Sequence, residues 1–246
     1  MRLLIFARRP VPGRCKTRLI PALGAVGAAE LHTRLLRQAL AAAQAARLGR
    51  LELWVDELAA AESDNGTDAT ADDRAIGPPW PALTAEFGAR LRRQCGGDLG
   101  ARMHHALRDA LRRSSDGALL IGSDCPALTP DYLRAAAAAL GRRDAAFAPV
   151  VDGGYALIGL RRAHSALFRH MPWGSAAVMA ETRRRLRRLG LAHWQGETLW
   201  DVDRPEDLTR LGDYPQLAAA GLVAADGRGS GDAQINSPAR PPASRT

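Results

Sequence analysis

Short, near-continuous apolar runs alternate along this chain with stretches whose apolar residues recur at helical spacing, and this alternation constrains the fold more than any other feature. Residues 2–7 form the first run, and Pro10, Pro12 and Gly13 forbid its continuation. Ala and Leu at helical spacing fill residues 24–48, Gly49 stops them, and residues 51–55 read as a second strand. Residues 56–82 mix acidic, Gly, Asn and Pro residues and are expected to make a variable surface excursion, with a short helix near its start. Residues 90–94 then read as a short strand, and Asp98 as the N-cap of a helix reaching about residue 113. A strongly apolar strand follows at 117–122, and Thr129-Pro130 opens the next helix as N-cap and first helical residue. Strands at 145–150 and 155–160 flank the turn Asp152-Gly153-Gly154. Helices near 163–170 and 175–189, a strand around 192–199 and a helix after Arg204-Pro205-Glu206-Asp207 complete the pattern. The expected class is α/β: a Rossmann-like, mostly parallel sheet with helices on both faces and ligands at the carboxyl ends of the strands.

With 246 residues, 46% of them hydrophobic, the chain can bury its core as one domain. That domain is expected over residues 1–225. Residues 226–246, rich in Gly, Ser, Pro, Asn and Arg without periodicity, are expected to form a disordered tail. The opening apolar stretch is too short for a signal peptide, and no apolar run approaches the roughly 18 residues that would suggest a membrane span. Cys15, Cys95 and Cys125 are widely spaced and form no Cys-x-x-Cys pair, so they read as reduced thiols of a cytoplasmic protein with no membrane partner. A net charge of +8 raises the question of nucleic acid, but the densest cluster, Arg183, Arg184, Arg185, Arg187 and Arg188, has no interleaved aromatics. It reads as a solvated helix face, and no nucleic-acid partner is expected. Among the 34 basic residues 33 are arginine, and the single lysine is Lys16. A lone lysine in so arginine-rich a chain hints at a site that needs a compact, rotatable ammonium.

The loops that follow the predicted strands carry the chemistry. After strand one, Gly13 and the neighbouring amides can approach phosphate oxygens while Lys16 and Arg18 neutralise charge, although a plain basic turn has the same composition. Asp124 ends the central strand where a parallel sheet faces its ligand crevice, and its carboxylate suits Mg²⁺ or Mn²⁺. The alternative is a turn or capping aspartate ahead of the next helix. Asp201 and Asp203 end the last strand, where alternate residues share a face, so one of them can complete a cation site with Asp124. Asp203 can equally be the N-cap of the helix that begins at Pro205.

Taken together, five segments resemble one family over nearly the whole length from Leu3 to about Leu211. They are Pro10-x-Pro12-Gly13-x-x-Lys16-Thr17-Arg18-Leu19, Gly97-Asp98-Leu99-Gly100-x-Arg102-Met103, Gly122-Ser123-Asp124-Cys125-Pro126, Asp152-Gly153-Gly154-Tyr155 and Asp201-Val202-Asp203-x-Pro205-Glu206-Asp207-Leu208. The chain is similar to the uncharacterised glycosyltransferase-like proteins (DUF2064-type) of the nucleotide-diphospho-sugar transferase superfamily, with the type-A glycosyltransferase fold. These resemble 2-phospholactate guanylyltransferase and, more distantly, molybdenum-cofactor guanylyltransferase. The resemblance implies that Lys16 and Arg18 contact donor phosphates and that Leu99 and Gly100 approach the base or ribose. It also implies that Asp124 and Asp203 hold the metal, and that Asp152, Gly153, Gly154, Tyr155, Trp173 and Ser175 form acceptor-side loops, although the glycine pair can equally be a plain tight turn with Tyr155 in the core. Arg9, Ser175 and Arg204 depart from the family's usual Lys, Thr and Thr, and Arg204 alters the charge beside the second carboxylate.

The expected function is metal-dependent transfer from a nucleotide donor to a small-molecule acceptor, with Lys16 and Asp124 as the catalytic pair and Mg²⁺ or Mn²⁺ as cofactor. Nucleotidyl transfer from a nucleoside triphosphate to a phosphorylated or carboxylated acceptor is the first reading. Glycosyl transfer from a nucleotide sugar is the second, and a non-catalytic nucleotide- or nucleic-acid-binding module is the third.

Overall fold

The structure is a computed structural model that describes residues 1–56 and 75–217. The expected tail at 226–246 and the short helix expected near the start of 56–82 lie outside the described residues. Seven strands, β1 (Arg2–Ala7), β2 (Arg50–Val55), β3 (Arg90–Arg93), β4 (Ala118–Ile121), β5 (Ala145–Pro149), β6 (Tyr155–Leu160) and β7 (His193–Gln195), make one sheet. Its order is β3-β2-β1-β4-β6-β5-β7. Strands β1 to β4 run parallel, and β6 is antiparallel to both β4 and β5. The α/β, mostly parallel sheet read from the sequence is the one observed.

The near-continuous apolar runs have a direct cause, since both faces of the sheet are covered and neither half of a strand's side chains meets water. Leu3, Ile5 and Ala7 of β1 join a core under α1 (Ile20–Ala46), α2 (Trp80–Phe87) and α4 (Pro130–Leu140). On the opposite face Leu4 joins a second core with Phe147, Met103 and Leu107 of α3 (Leu99–Leu111), and Met179 and Leu186 of α5 (Val178–Arg188). Fully burying each of these larger apolar side chains contributes about 1.5–3 kcal/mol. A third, smaller cluster joins Leu19, Ala28, Leu31 and Leu35 to Val202, Leu211 and Leu217.

Several elements differ from the pattern expected from sequence. Helix α2 begins in the last three residues of the stretch read as excursion and runs on through residues to which no element was assigned; Pro81 in its first turn and the left-handed Gly88 at its end are ordinary start and stop signals. The helix expected near 163–170 is only a 3₁₀ turn at Ser165–Leu167. The Arg185 guanidinium takes the carbonyls of Ala166, Arg169 and His170, so that backbone is satisfied without helical bonds. The strand around 192–199 shortens to β7, with a single further bridge from Leu199 to Val150. The last helix is a 3₁₀ segment at Pro205–Asp213. Helix α1 is interrupted at Gly24, whose φ of 68° is non-helical. Among the described residues no helix is long and apolar enough to cross a membrane.

Candidate active site

Strands β1 and β4 are neighbours, but the chain after β1 proceeds to β2 and β3 on one side while the later strands lie on the other. The loops leaving the carboxyl ends of β1 and β4 therefore diverge and leave a crevice, the usual ligand position in an open α/β sheet. A cleft of about 590 Å³ opens there. Arg8, Arg14, Lys16, Thr17 and Arg18 line it from the loop after β1, Gln94 and Leu99 from the segment after β3, and Ser123 and Asp124 from the loop after β4. His32 and Arg102, from α1 and α3, and Asp203 complete its polar wall.

Lys16 is the centre of this arrangement. Its backbone is left-handed, with a φ of 48°, a conformation uncommon for a residue with a side chain. Its side chain is only 5% exposed, although it belongs to a loop. The ammonium lies 2.9 Å from Asp124 Oδ2 and donates to the Val202 carbonyl at 2.5 Å. Two residues on, Arg18 pairs with Asp203. The other Asp124 oxygen, Oδ1, accepts from the Ser123 hydroxyl at 3.2 Å and faces His32 Nδ1 at 3.7 Å. Burial alone would raise the Asp124 carboxyl, but the charge of Lys16 and then the His32 ring outweigh it and hold the group far below the usual carboxylate range.

Both capping alternatives weighed for the two aspartates are absent. The N-cap of α4 is Thr129, whose hydroxyl accepts from the Tyr132 amide. At the last 3₁₀ segment Arg204 is the N-cap, and the Asp207 carboxylate accepts from the amides of Asp203 and Arg204. Asp203 is left free to face the cleft, whereas Asp201, two residues back, is not among the lining residues. Residues 201–203 belong to no strand, which corrects the strand-face argument that had paired them. Burial, and next the charge of Asp152, push the Asp201 carboxyl up to about 6.

Other expected site residues take different places. Leu99 is exposed and lines the cleft, but Gly13 and Gly100 lie outside its lining. A Cβ at Gly100 would sit 2.6 Å from the Phe168 carbonyl and 2.7 Å from Trp173 Nε1, so this glycine permits close packing of α3 on the 168–173 loop. Asp152, Gly153, Gly154, Tyr155, Trp173 and Ser175 gather beside the start of α5, outside the lining of the cleft. The Asp152 carboxylate accepts from the Gly154 amide at 2.8 Å, and the Gly153 carbonyl accepts from the Met179 amide at 2.8 Å. Tyr155 packs edge-on against Phe147 and Trp173, so its ring is part of the core. The Ser175 hydroxyl donates to the Pro172 carbonyl at 2.8 Å.

Sequence reasoning missed Arg8, Arg14, His32, Gln94 and Arg102. His32 had a legible signal, for it is a polar residue at a core-facing position of α1, between Leu31 and Leu35 in a row of buried residues. Its Nε2 lies 3.1 Å from the Arg8 carbonyl. Gln94 had none, and Arg102 stood in the Gly97–Met103 segment without a role assigned to it: their relation is tertiary, with Arg102 Nη1 donating to Gln94 Oε1 at 3.1 Å while the Gln94 amide bonds the Trp54 carbonyl.

Comparison with known proteins agrees with this architecture. Residues 39–175 match a family described as an uncharacterized protein conserved in bacteria (DUF2064). No curated protein matches the chain significantly. The crystal structure of a candidate nucleotide-diphospho-sugar transferase from Desulfovibrio desulfuricans G20 is 31% identical, superposes with a TM-score of 0.68 and covers 82% of each chain. A 4-diphosphocytidyl-2C-methyl-D-erythritol synthase from Anaerococcus prevotii DSM 20548 shares the fold at 11% identity, with a TM-score of 0.53 over 87% of this chain and 95% of that one. By family match and by fold, this chain belongs to the DUF2064 family within the nucleotide-diphospho-sugar transferase fold.

Proposed function

We propose that this protein is a divalent-metal-dependent nucleotidyltransferase, in which a phosphate or carboxylate oxygen of a small acceptor attacks the α-phosphorus of a nucleoside triphosphate and pyrophosphate leaves. The observation that carries the reading is the charge of the cleft: Arg8, Arg14, Lys16, Arg18 and Arg102 against Asp124 and Asp203. Such an excess of cations in one crevice suits a polyphosphate, and suits a triphosphate better than the diphosphate of a nucleotide sugar. Transfer from a nucleotide sugar is the second reading, favoured by the description of the Desulfovibrio relative.

The donor set fits a hard cation delivered with the donor and not a preassembled cage. Among the described residues no three His, Cys, Asp or Glu side chains are grouped to hold a metal. Two ionised carboxylates on one cleft, completed by phosphate oxygens and water, are what Mg²⁺ or Mn²⁺ on a polyphosphate usually takes. Asp124 and Asp203 would hold it. When bound, the cation would offset charge on the phosphates during transfer. Lys16 and Arg18 would grip the donor phosphates, a role of positioning and charge stabilisation. Leu99 offers an apolar face toward the base or ribose, and Asp152 and Ser175 mark the side from which the acceptor would approach.

The test is thermal shift of the purified chain with each nucleoside triphosphate and with nucleotide sugars, with and without Mg²⁺ or Mn²⁺, followed by a pyrophosphate-release assay with phosphorylated and carboxylated acceptors. A donor at about 100 times its Kd should add about 2.7 kcal/mol of apparent stability. Stabilisation by nucleotide sugars and not by triphosphates would transfer the assignment to glycosyl transfer. Stabilisation by neither would remove the donor reading altogether.

A further inference from the structure

Both carboxylates assigned to the cation are already engaged by cations of the protein, and both of those cations come from one short loop. Lys16 reaches Asp124 and Arg18 reaches Asp203. Lys16 does so from a left-handed backbone, with its ammonium shielded from water and shared with the Val202 carbonyl. Beside the same carboxylate, the buried His32 ring presents Nδ1 with no hydrogen-bond partner, 3.7 Å from Asp124 Oδ1. Its other nitrogen, Nε2, lies 3.1 Å from the Arg8 carbonyl, which can only accept, so Nε2 carries a hydrogen.

We propose that the 16–18 loop is an exchange device: without donor, Lys16 and Arg18 occupy the two carboxylates and oppose binding of a free divalent cation, and a polyphosphate donor draws both bases away so that the carboxylates become available. This inference rests on the donor-and-metal reading given above. The physical argument is charge competition at one site. An ammonium 2.9 Å from Asp124 supplies the counter-charge a metal would supply, and a second cation brought to the same oxygens is repelled by it. Donor phosphates reverse the balance because they offer Lys16 and Arg18 better acceptors, with several charged oxygens each. Cation and donor then bind with positive coupling, and by linkage each strengthens the other by the same factor. The left-handed backbone at Lys16 is an uncommon conformation that its surroundings hold in place.

The experiment measures Mn²⁺ binding by the loss of its free-ion electron paramagnetic resonance signal, for the wild type, Lys16→Met and Arg18→Met, first with the metal alone and then with a non-hydrolysable nucleoside triphosphate. Arg18 is well exposed, so Arg18→Met keeps the test informative should Lys16→Met fold poorly. Expected without nucleotide is Mn²⁺ binding stronger than wild type by on the order of tenfold in Lys16→Met, and by less in Arg18→Met, because a charge beside an ionised carboxylate has been removed. Expected with nucleotide is a large gain of Mn²⁺ affinity in the wild type and a small one in Lys16→Met. Equal metal affinity of wild type and both variants without nucleotide overturns the exchange device, and leaves the donor reading standing if nucleotide still raises Mn²⁺ affinity in all of them. No Mn²⁺ binding to any of them with or without nucleotide overturns both the device and the metal assignment.

Discussion

Asp124 and Lys16 form the ion pair at the centre of the proposed donor site, and the carboxylate makes the burial of the ammonium tolerable. The ammonium is nearly inaccessible to water, and it meets the Asp124 carboxylate and the Val202 carbonyl. Replacing Asp124 by Asn keeps the shape but leaves a buried ammonium without a counter-charge, a change that typically costs about 3–5 kcal/mol when one partner of a buried pair is removed. The cost here should be smaller, roughly 1–3 kcal/mol, because the Asp124 side chain is 44% exposed and solvent screens part of the interaction. Adding Lys16→Met to Asp124→Asn should recover part of that loss, since the double variant no longer carries an uncompensated charge. Urea unfolding of the two single variants and the double variant checks this. A double variant whose loss is the sum of the two single losses would show that the pair is not coupled. Asp124→Asn should also abolish metal-dependent nucleotide binding and Lys16→Met should weaken it, whereas Asp201→Asn, outside the cleft lining, should be milder.

Among the elements, β2 carries a device that the site does not use. Glu52 is fully buried, and its carboxylate accepts from Arg2 on β1 and Arg113 beyond α3, each at 2.7 Å, and from Trp54 Nε1 at 3.0 Å, with Arg92 of β3 at 3.8 Å. One side chain therefore ties three strands and a helix end together at the edge of the sheet opposite the cleft. Burial alone would raise the Glu52 carboxyl, but the hydrogen bond and charge of Arg113, then Trp54 and Arg92, outweigh it and lower it from the usual 4.5. A lowered folded value means a contribution present in full above the unfolded value and lost as pH falls toward the folded one. Glu52→Gln should thus cost about 3 kcal/mol at neutral pH, and the gap to wild type should narrow on acidification below about 4.5. Denaturant midpoints from pH 7 to pH 3 measure it, and a gap that stays constant over that range refutes the assignment. Glu52 had no visible role in the sequence, where it is one acid in an apolar strand, because its three arginines lie 50, 40 and 61 positions away. The strands themselves were legible because their apolar runs report two covered faces. The helices with caps, α3 behind Asp98 and α4 behind Thr129, were legible from those caps. Helix α2 and the two 3₁₀ segments were not, since short elements lean on tertiary partners more than on their own periodicity.

At the level of the whole molecule, the site depends on chain that is remote in sequence from the loop after β1. Lys16 bonds the Val202 carbonyl, the Val202 amide bonds the Asp124 carbonyl at 2.9 Å, and the Val202 side chain is fully buried. Its cluster holds Leu19, three residues beyond Lys16, together with Leu211 and Leu217 near the end of the described chain. This explains why the sequence displayed the site's members without its assembly: the motifs named Lys16, Asp124 and Asp203, and the small core that brings them together is spread over some two hundred residues. It also makes the boundary of the domain testable. A chain ending at residue 225 retains every member of that cluster and should match the full-length protein in melting temperature and in metal-dependent nucleotide binding. A chain ending at residue 210 loses Leu211 and Leu217, both buried, which removes about 3–6 kcal/mol of apolar burial at roughly 1.5–3 kcal/mol each. Against a total stability of about 5–15 kcal/mol, that loss should lower the melting temperature steeply and release the 201–203 segment, so that nucleotide binding fails even in preparations cold enough to remain folded. Calorimetry of the three chains with and without nucleoside triphosphate and Mn²⁺ decides the matter. Full binding by the chain ending at 210 would show that Val202 is held without its C-terminal neighbours, and a marked loss in the chain ending at 225 would place the domain boundary beyond that residue.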